Sequence, residues 1–481
     1  MRFLHGLLGP RSIRLVALAS AAATTLLLTI YFLTPRISDD FWLFYWPPAE
    51  PTPDIPLVKA LSRYAATHPI KAPYQQAYGN VGKRSALVRQ WLTLAQQSSN
   101  SDTKALLNGL SEDLAGSTFP FLGRSQSQHP LSDLRSSFDP GTTGIVIPTS
   151  DGSIRSAMRL VHNLRAVLGS TLPIQIAYAG DTDLALANRE LLSRLEIPGP
   201  PIEFLDVNAV FDASVTQLEV GGWETKPFAA LGSRFERVLV AGPEVGFFQA
   251  PEAFLADETV THAGAWMAKD RLYWYHAYAD PVNWDRYIAP DVEKYTLPDK
   301  TIHTALFIVD AGLAFFNKAR LDILLGLMCV GWQHSYAVRN ELTHPLRYGS
   351  RDVWWRGLEM TGARFVESDH YGGVLGWEGG GRDGARVCGS AVAHVDSAGR
   401  LLWWKGEPAS DPEKIPTKWM IEGWSPGPFR AVWEEIRGTY GEIRESISRG
   451  IYCMVGEEAG SLSGEELDIV ERVIRYTNPR S

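Results

Sequence analysis

Between residues 145 and 207 the chain alternates short, continuous apolar runs with longer stretches whose apolar positions recur three and four residues apart. Ile145-Val146-Ile147 is a β-rich run ended by Pro148. Asp151 is then placed to cap a helix whose Ile154, Ala157, Met158, Val161, Leu164 and Leu168 share one face, stopped at Gly169-Ser170. Pro173 to Tyr178 reads as a second strand, Leu184 to Leu195 as a second helix, and Ile202 to Val207 as a third strand. Strand and helix alternating at this spacing predict an α/β fold with a parallel, Rossmann-like sheet. Such sheets bind ligands outside the carboxyl ends of their strands. That directs attention to Pro148-Thr149-Ser150 and to Ala179-Gly180-Asp181.

The pattern continues less regularly. Arg237 to Ala241 is an apolar strand running into Gly242-Pro243-Glu244, and Leu306 to Phe316 is another, interrupted by Asp310-Ala311-Gly312. Residues 371 to 408 are rich in Gly and Trp, and Ser463 to Tyr476 is a helix with a Ser463/Glu466 capping box. Upstream, Leu87, Val88, Trp91, Leu92 and Ala95 form a helical face, whereas Ser98 to Asp139, rich in Ser, Gly and Asp, reads as loop.

The N-terminus adds a membrane to the picture. Leu15 to Pro35 is uncharged and mostly apolar, and about 20 helical residues cross a bilayer's hydrocarbon core. Arg2, Arg11 and Arg14 precede it without an acid, which sets that side in the cytoplasm. The alternative is a cleaved signal peptide. Against it, the span exceeds an ordinary signal core, and the small-residue stretch near Ala21 to Ala23 lies inside the span. A Pro-rich spacer at 47 to 56 follows. The expected organisation is a cytoplasmic tail at 1–14, a transmembrane signal anchor at 15–35, a helical stem at 36–140 and a lumenal domain at 141–481.

Composition narrows the function. The 481 residues are 45% hydrophobic, enough for a large core, and carry a net charge of −8. With no Lys/Arg-rich run, nucleic-acid binding has no electrostatic support. Three cysteines, Cys329, Cys388 and Cys453, permit at most one disulfide, and no Cys/His cluster has zinc spacing. Thr149 and Arg155 sit at a strand end and a helix start, where amides and positive charge suit a phosphate; a turn Thr and a surface Arg is the other reading. Asp181 is open to two readings as well, a ribose or base contact and a plain turn residue.

Several segments together resemble the fungal Golgi α-1,3-mannosyltransferases of glycosyltransferase family 71. They are GIVIPTSDGSIRSAMRLVHNLR (144–165), LPIQIAYAGDTDL (172–184), GGWETKPFAAL (221–231) and VLVAGPEVGFFQAPE (238–252), then KDRLYW (269–274), VDAGLAFFNKAR (309–320), YGSRDVWWRGLEM (348–360), HYGGVLG (370–376) and HVDSAGRLLWWKG (394–406). The resemblance covers roughly residues 140 to 460, and its strength lies in the shared order of the segments. It implies a GT-A-type domain that transfers mannose from GDP-mannose to a mannose-containing glycan or glycoprotein, with retention, in the Golgi. It also implies Mn2+ bound through an Asp-x-Asp motif, since a cation bridging the phosphates stabilises a diphosphate leaving group. Here that motif falls on Gly242-Pro243-Glu244, so its first carboxylate is missing. Glu244 and His394 remain as the implied metal ligands. Lys226 matches a phosphate-neutralising lysine, and Asp310 and Asp352 match catalytic acidic positions. Trp404 becomes an acceptor-stacking candidate, because adjacent strand residues face opposite ways and one of Trp403 and Trp404 is expected nearer the surface. The missing carboxylate motivates a second expectation, an impaired homologue serving as a scaffold in a Golgi enzyme complex.

Overall fold

The computed structural model describes residues 53–123, 127–271, 309–344, 350–379 (350–352 by backbone alone), 385–408, 415–421 and 451–477. The chain divides into two units, Met1–Val58 and Lys59–Ser481. The expected tail and anchor lie outside the described residues. Among the described residues no helix is long and apolar enough to cross a membrane.

The larger unit is built on two sheets. The first uses β1 (Asp139–Pro148), β2 (Ile174–Tyr178), β3 (Ile202–Asp206), β4 (Phe235–Ala241), β6 (Ala265–Arg271), β7 (Val309–Asn317) and β8 (Val366–Gly372), in the order β3-β2-β1-β4-β7-β6-β8. The run β3-β2-β1-β4 is parallel throughout. β7 then enters antiparallel between β4 and β6, so the expected parallel sheet is a mixed one. The parallel half forms as its pattern predicts. Helix Ile154–His162 lays Ala157, Leu160 and Val161 on Ile145, Ile147, Ile174 and Ile176, all of them fully buried. A π turn at Asn163–Val167 prolongs that helix. There the buried Asn163 both donates to the Phe247 carbonyl (3.1 Å) and accepts from the Phe247 amide (2.7 Å).

The second sheet contains β5 (Val245–Phe247), β9 (Val374–Glu378), β10 (Ala385–Val395), β11 (Leu401–Lys405), β12 (Lys418–Met420) and β14 (Gly460–Ser461), ordered β14-β12-β9-β10-β11-β5, with β13 (Tyr452–Gly456) paired to β10. Its strands account for the Gly- and Trp-rich region. Cys388 and Cys453 face each other across β10 and β13 and form a disulfide. Helix Gly464–Thr477 closes this side, with the predicted capping box in place: Glu466 accepts from the Ser463 amide (2.7 Å) and Ser463 from the Glu466 amide (3.3 Å).

Two expectations about the region before residue 141 are corrected. Residues 98–139 are not a loop: helices Ser101–Thr118 and Pro130–Ser136 occupy most of the described part. The first is started by Asn100, whose side chain accepts from the Asp102 and Thr103 amides, and it buries Leu107, Leu114 and Ala115. Glu112 joins the two helices by accepting from the Leu131 and Ser132 amides (2.9 and 2.8 Å). Nor is this region a stem apart from the main domain. In helix Tyr78–Gln97, Tyr78 stands edge-on to Trp332 (centroids 5.2 Å apart) and Ser85 contacts Cys329 at 3.4 Å. Phe121 meets Phe228 edge-on at 5.4 Å. Residues 59–140 therefore belong to the same compact unit as the sheets.

Candidate active site

The loops at the carboxyl ends of β1 and β2 are tied into one platform. Thr149 is buried; its amide donates to the Ala177 carbonyl (2.8 Å) and its hydroxyl to the Ile147 carbonyl (3.1 Å). Ser150 and Ser153 form the capping box at the start of the helical turn that leads into Ile154–His162. Asp151 does not cap that helix. It accepts from the Ala185 amide (2.9 Å) and the Asn188 side chain (2.7 Å), at the start of helix Leu186–Ser193. Asp183, which the sequence pattern did not single out, is the tie. Buried, it accepts from the amides of Ala179 (2.9 Å) and Gly221 (2.8 Å), while its carbonyl takes the Asp151 amide (2.8 Å). Arg155 is exposed on this side. Asp181 is exposed too, and its carboxylate pairs with Arg189 at 2.6 Å.

The charged centre lies where the two sheets meet. β4 ends at Ala241 in the first sheet, Gly242-Pro243-Glu244 turns, and β5 starts at Val245 in the second. The turn is pinned on both sides: the Gly242 amide donates to the Gly312 carbonyl of β7 (2.8 Å), and the Gly406 amide to the Glu244 carbonyl (2.9 Å). One turn of chain thus brings β7 from one sheet and β11 from the other against Glu244.

Four further side chains converge here. Lys226, at the start of the wholly buried helix Thr225–Gly232, is 9% exposed. Its Nζ donates to the Ala311 carbonyl (3.0 Å) and lies 3.5 Å from Glu244 Oε1. Asp310 on β7 has no exposed surface. Its Oδ1 accepts from Lys405 Nζ (2.7 Å) and the Gly312 amide (2.8 Å), and its Oδ2 lies 3.2 Å from His394 Nε2. His394, on β10, stacks on Trp403 of β11 with centroids 3.9 Å apart. Strand alternation sets the rest: Trp403 and Lys405 share a face of β11, and Gly312 leaves room for both. A Cβ at Gly312 would lie 3.0 Å from Lys405 Cδ and 3.1 Å from Trp403 Cζ3.

The electrostatics are self-compensating. Burial pushes the Asp310 carboxyl up, but Lys405 and the His394 hydrogen bond outweigh it and hold it well below the usual carboxylate range. Burial likewise raises Glu244, and Lys226 and Lys405 bring it below its ordinary value.

The geometry redistributes the roles expected from sequence. Lys226, Glu244, Asp310 and His394 do come together, joined by Lys405. Asp310, however, is sealed from any sugar, with both oxygens committed to the protein, so it positions Lys405 and His394 rather than touching substrate. Trp404 is corrected as an acceptor platform. Neither tryptophan of the pair is near the surface: Trp403 is 0% and Trp404 1% exposed. Both faces of β11 are buried, Trp403 in the core shared with the first sheet and Trp404 against Phe248 (4.7 Å) in the cluster closed by Val470 and Val473 of helix Gly464–Thr477. Asp352 lies in helix Ser350–Met360, and its side chain is outside the described residues. Thr149, with its hydroxyl bound to a carbonyl, offers a ligand little beyond backbone.

The expected metal does not fit the described side chains. No group of three His, Cys, Asp or Glu among them is placed to hold an ion. A carboxylate only accepts, so His394 Nε2 facing Asp310 carries a proton, and the ring's lone pair lies on Nδ1, which is buried without a partner and turned from Asp310. Glu244 folds back over Gly242: a Cβ there would meet both carboxylate oxygens at 2.6 Å. Its charge is already opposed by Lys226.

Comparison with known proteins assigns this α/β domain to a family. The family model described as "Mannosyltransferase putative" matches residues 142–396, more than half of the chain, and the chain belongs to this family. The protein is similar to "Putative alpha-1,3-mannosyltransferase MNN15" of Candida albicans (strain SC5314 / ATCC MYA-2876), at 24% identity over 318 residues. That match covers 54% of this chain and 40% of the relative, so the chain spans well under half of the relative's length. Solved structures with partial likeness include the WbbM bifunctional glycosyltransferase (13% identity, 48% of this chain and 39% of that chain, TM-score 0.30). Another is mouse xyloside xylosyltransferase 1 (11% identity, 48% of this chain and 86% of that chain, TM-score 0.29). Scores this low bear on nothing in the site.

Proposed function

We propose that this protein is a retaining, GT-A-type member of glycosyltransferase family 71. It moves mannose from GDP-mannose to a mannose-containing glycan or glycoprotein through an α-1,3 linkage. Family membership supports mannosyl transfer. The observation that carries the reading is Lys226, an almost buried ammonium held at a strand-end turn by the Ala311 carbonyl and Glu244. An ammonium so placed suits a diphosphate. As the bond from mannose C1 to the β-phosphate oxygen breaks, its electron pair passes to that oxygen, where a neighbouring cation lowers the barrier. The acceptor hydroxyl attacks C1 from the face the phosphate leaves, and its proton goes to the departing phosphate oxygen. No separate protein base is then needed. Arg155, exposed beside the β1 loop, is a second candidate cation for the donor. The protein works as a single-pass type II protein of the Golgi membrane. The uncharged span at 15–35 and the Cys388–Cys453 disulfide support this, since disulfides persist in oxidising compartments.

Gly242 favours a second reading, a scaffold subunit of a Golgi mannosyltransferase complex that has lost catalysis. Incubating the purified full-length protein with GDP-mannose and a mannose disaccharide separates the two. GDP release coupled to trisaccharide formation is expected; donor left intact over hours, with folded protein, favours the scaffold.

A further inference from the structure

We propose that this protein binds its nucleoside diphosphate without a divalent cation, the ammonium groups of Lys226 and Lys405 standing in the cation's place. The inference rests on the nucleotide-sugar reading above and deepens it.

The first argument is charge. In an Asp-x-Asp site two carboxylates balance one doubly charged ion. Here two carboxylates, Glu244 and Asp310, balance two ammonium groups, Lys226 at 3.5 Å and Lys405 at 2.7 Å. Among the described residues each carboxylate of the centre is thus already set against a cation. A divalent ion added there would meet two like charges within a few ångströms, in surroundings where water screens little.

The second argument is space. The position that would carry the missing carboxylate is a glycine, and Glu244 fills its room. One side chain thus covers what two would otherwise occupy, with its charge turned toward Lys226.

The third is the ligand set. His394 presents a protonated Nε2 to Asp310, its lone-pair nitrogen Nδ1 is buried away from solvent, and Asp310 has no surface. Among the described carboxylates of this cluster Glu244 alone has exposed surface, too little to hold a hard divalent ion beside two ammonium groups.

The two lysines are fixed from opposite sides of the sheet junction. Lys226 comes from the helix packed beneath β4. Lys405 comes from the end of β11, with its stem lying across Gly312. A diphosphate entering at the turn meets both, and Lys226 exchanges Glu244, whose side chain is 33% exposed, for a phosphate oxygen.

Isothermal titration of GDP into the full-length protein, in EDTA and again in millimolar Mn2+, tests this. The expected result is the same dissociation constant in both, within about threefold, and a free-Mn2+ resonance signal that the protein lowers no further than GDP alone does. Lys405→Met, which keeps the stem over Gly312, is expected to weaken GDP in EDTA about tenfold or more, and Lys405→Arg to recover most of it. GDP binding that appears only with Mn2+, or tightens tenfold on its addition, overturns the proposal while leaving the donor assignment standing. Absence of GDP binding in both conditions overturns the donor assignment itself.

Discussion

The parallel half of the first sheet and the junction between the two sheets are built on different physics. Around β1, β2 and β3, apolar strands and a one-faced helix bury each other, and the loops above them are closed by neutral hydrogen bonds through Thr149, Ser150 and Asp183. At the junction, four charged groups and a histidine are packed among tryptophans and glycines, each carboxylate set against an ammonium. The first region follows from local periodicity. The second exists because a three-residue turn hands the chain from one sheet to the other. Strands distant in sequence can thus assemble a cluster of paired charges that no local pattern announces.

Four substitutions probe this contrast. Trp404→Ala is expected to cost the most, about 3–5 kcal/mol of stability in urea unfolding, as a buried indole lost from a packed core. If it instead raised the acceptor KM in a protein of normal stability, Trp404 would return to the binding surface. Asp310→Asn is expected to cost ~1.5–3 kcal/mol at neutral pH, through loss of charge-assisted hydrogen bonds to Lys405 and His394. Its pH dependence follows from the depressed folded-state pKa. The carboxylate's contribution is fully present above the unfolded value, about 3.9, and is lost as pH falls below that toward the folded value. The stability gap between wild type and Asp310→Asn is therefore expected to stay flat from pH 8 to about 5 and to narrow below about 4. A gap that widens with acid contradicts the assignment. Lys226→Ala is expected to raise the donor KM about tenfold or more and leave the acceptor KM within about twofold, because the ammonium is directed at phosphate. Equal shifts in both constants point to general misfolding of the turn. Asp181→Ala, an exposed residue in a surface pair, is expected to change stability and both constants least, within about 0.5 kcal/mol.

What the sequence reveals divides along the same line. β2, β3 and β4 were legible closely and β1 only in its carboxyl half, from Ile145, because the apolar run is the signal and the Asp139–Gly144 start of β1 carries none; the capping box Ser463/Glu466 was legible because capping is local. Helix Ser101–Thr118 was missed: only Leu107, Leu114, Ala115 and a few polar residues are buried, and its cap, Asn100, looks like loop chemistry. Lys226, Glu244, Asp310 and His394 were identified through a resemblance, not through pattern. Lys405 was missed outright, since attention went to the adjacent tryptophans. Period-two alternation placing it on the face of Trp403 was the available signal, and it points nowhere until β11 is known to lie beside β5. Asp183 was missed for the same reason, as its partners are 4 and 38 residues away.

The most direct test of the account is a crystal structure of the full-length protein with GDP, grown without divalent ions. The account predicts the diphosphate at the Gly242-Pro243-Glu244 turn, with a phosphate oxygen within about 3.2 Å of Lys226 Nζ, Lys405 beside it and Glu244 turned away from Lys226. GDP bound away from the junction, with Lys226 still on the Ala311 carbonyl and Glu244, would contradict it.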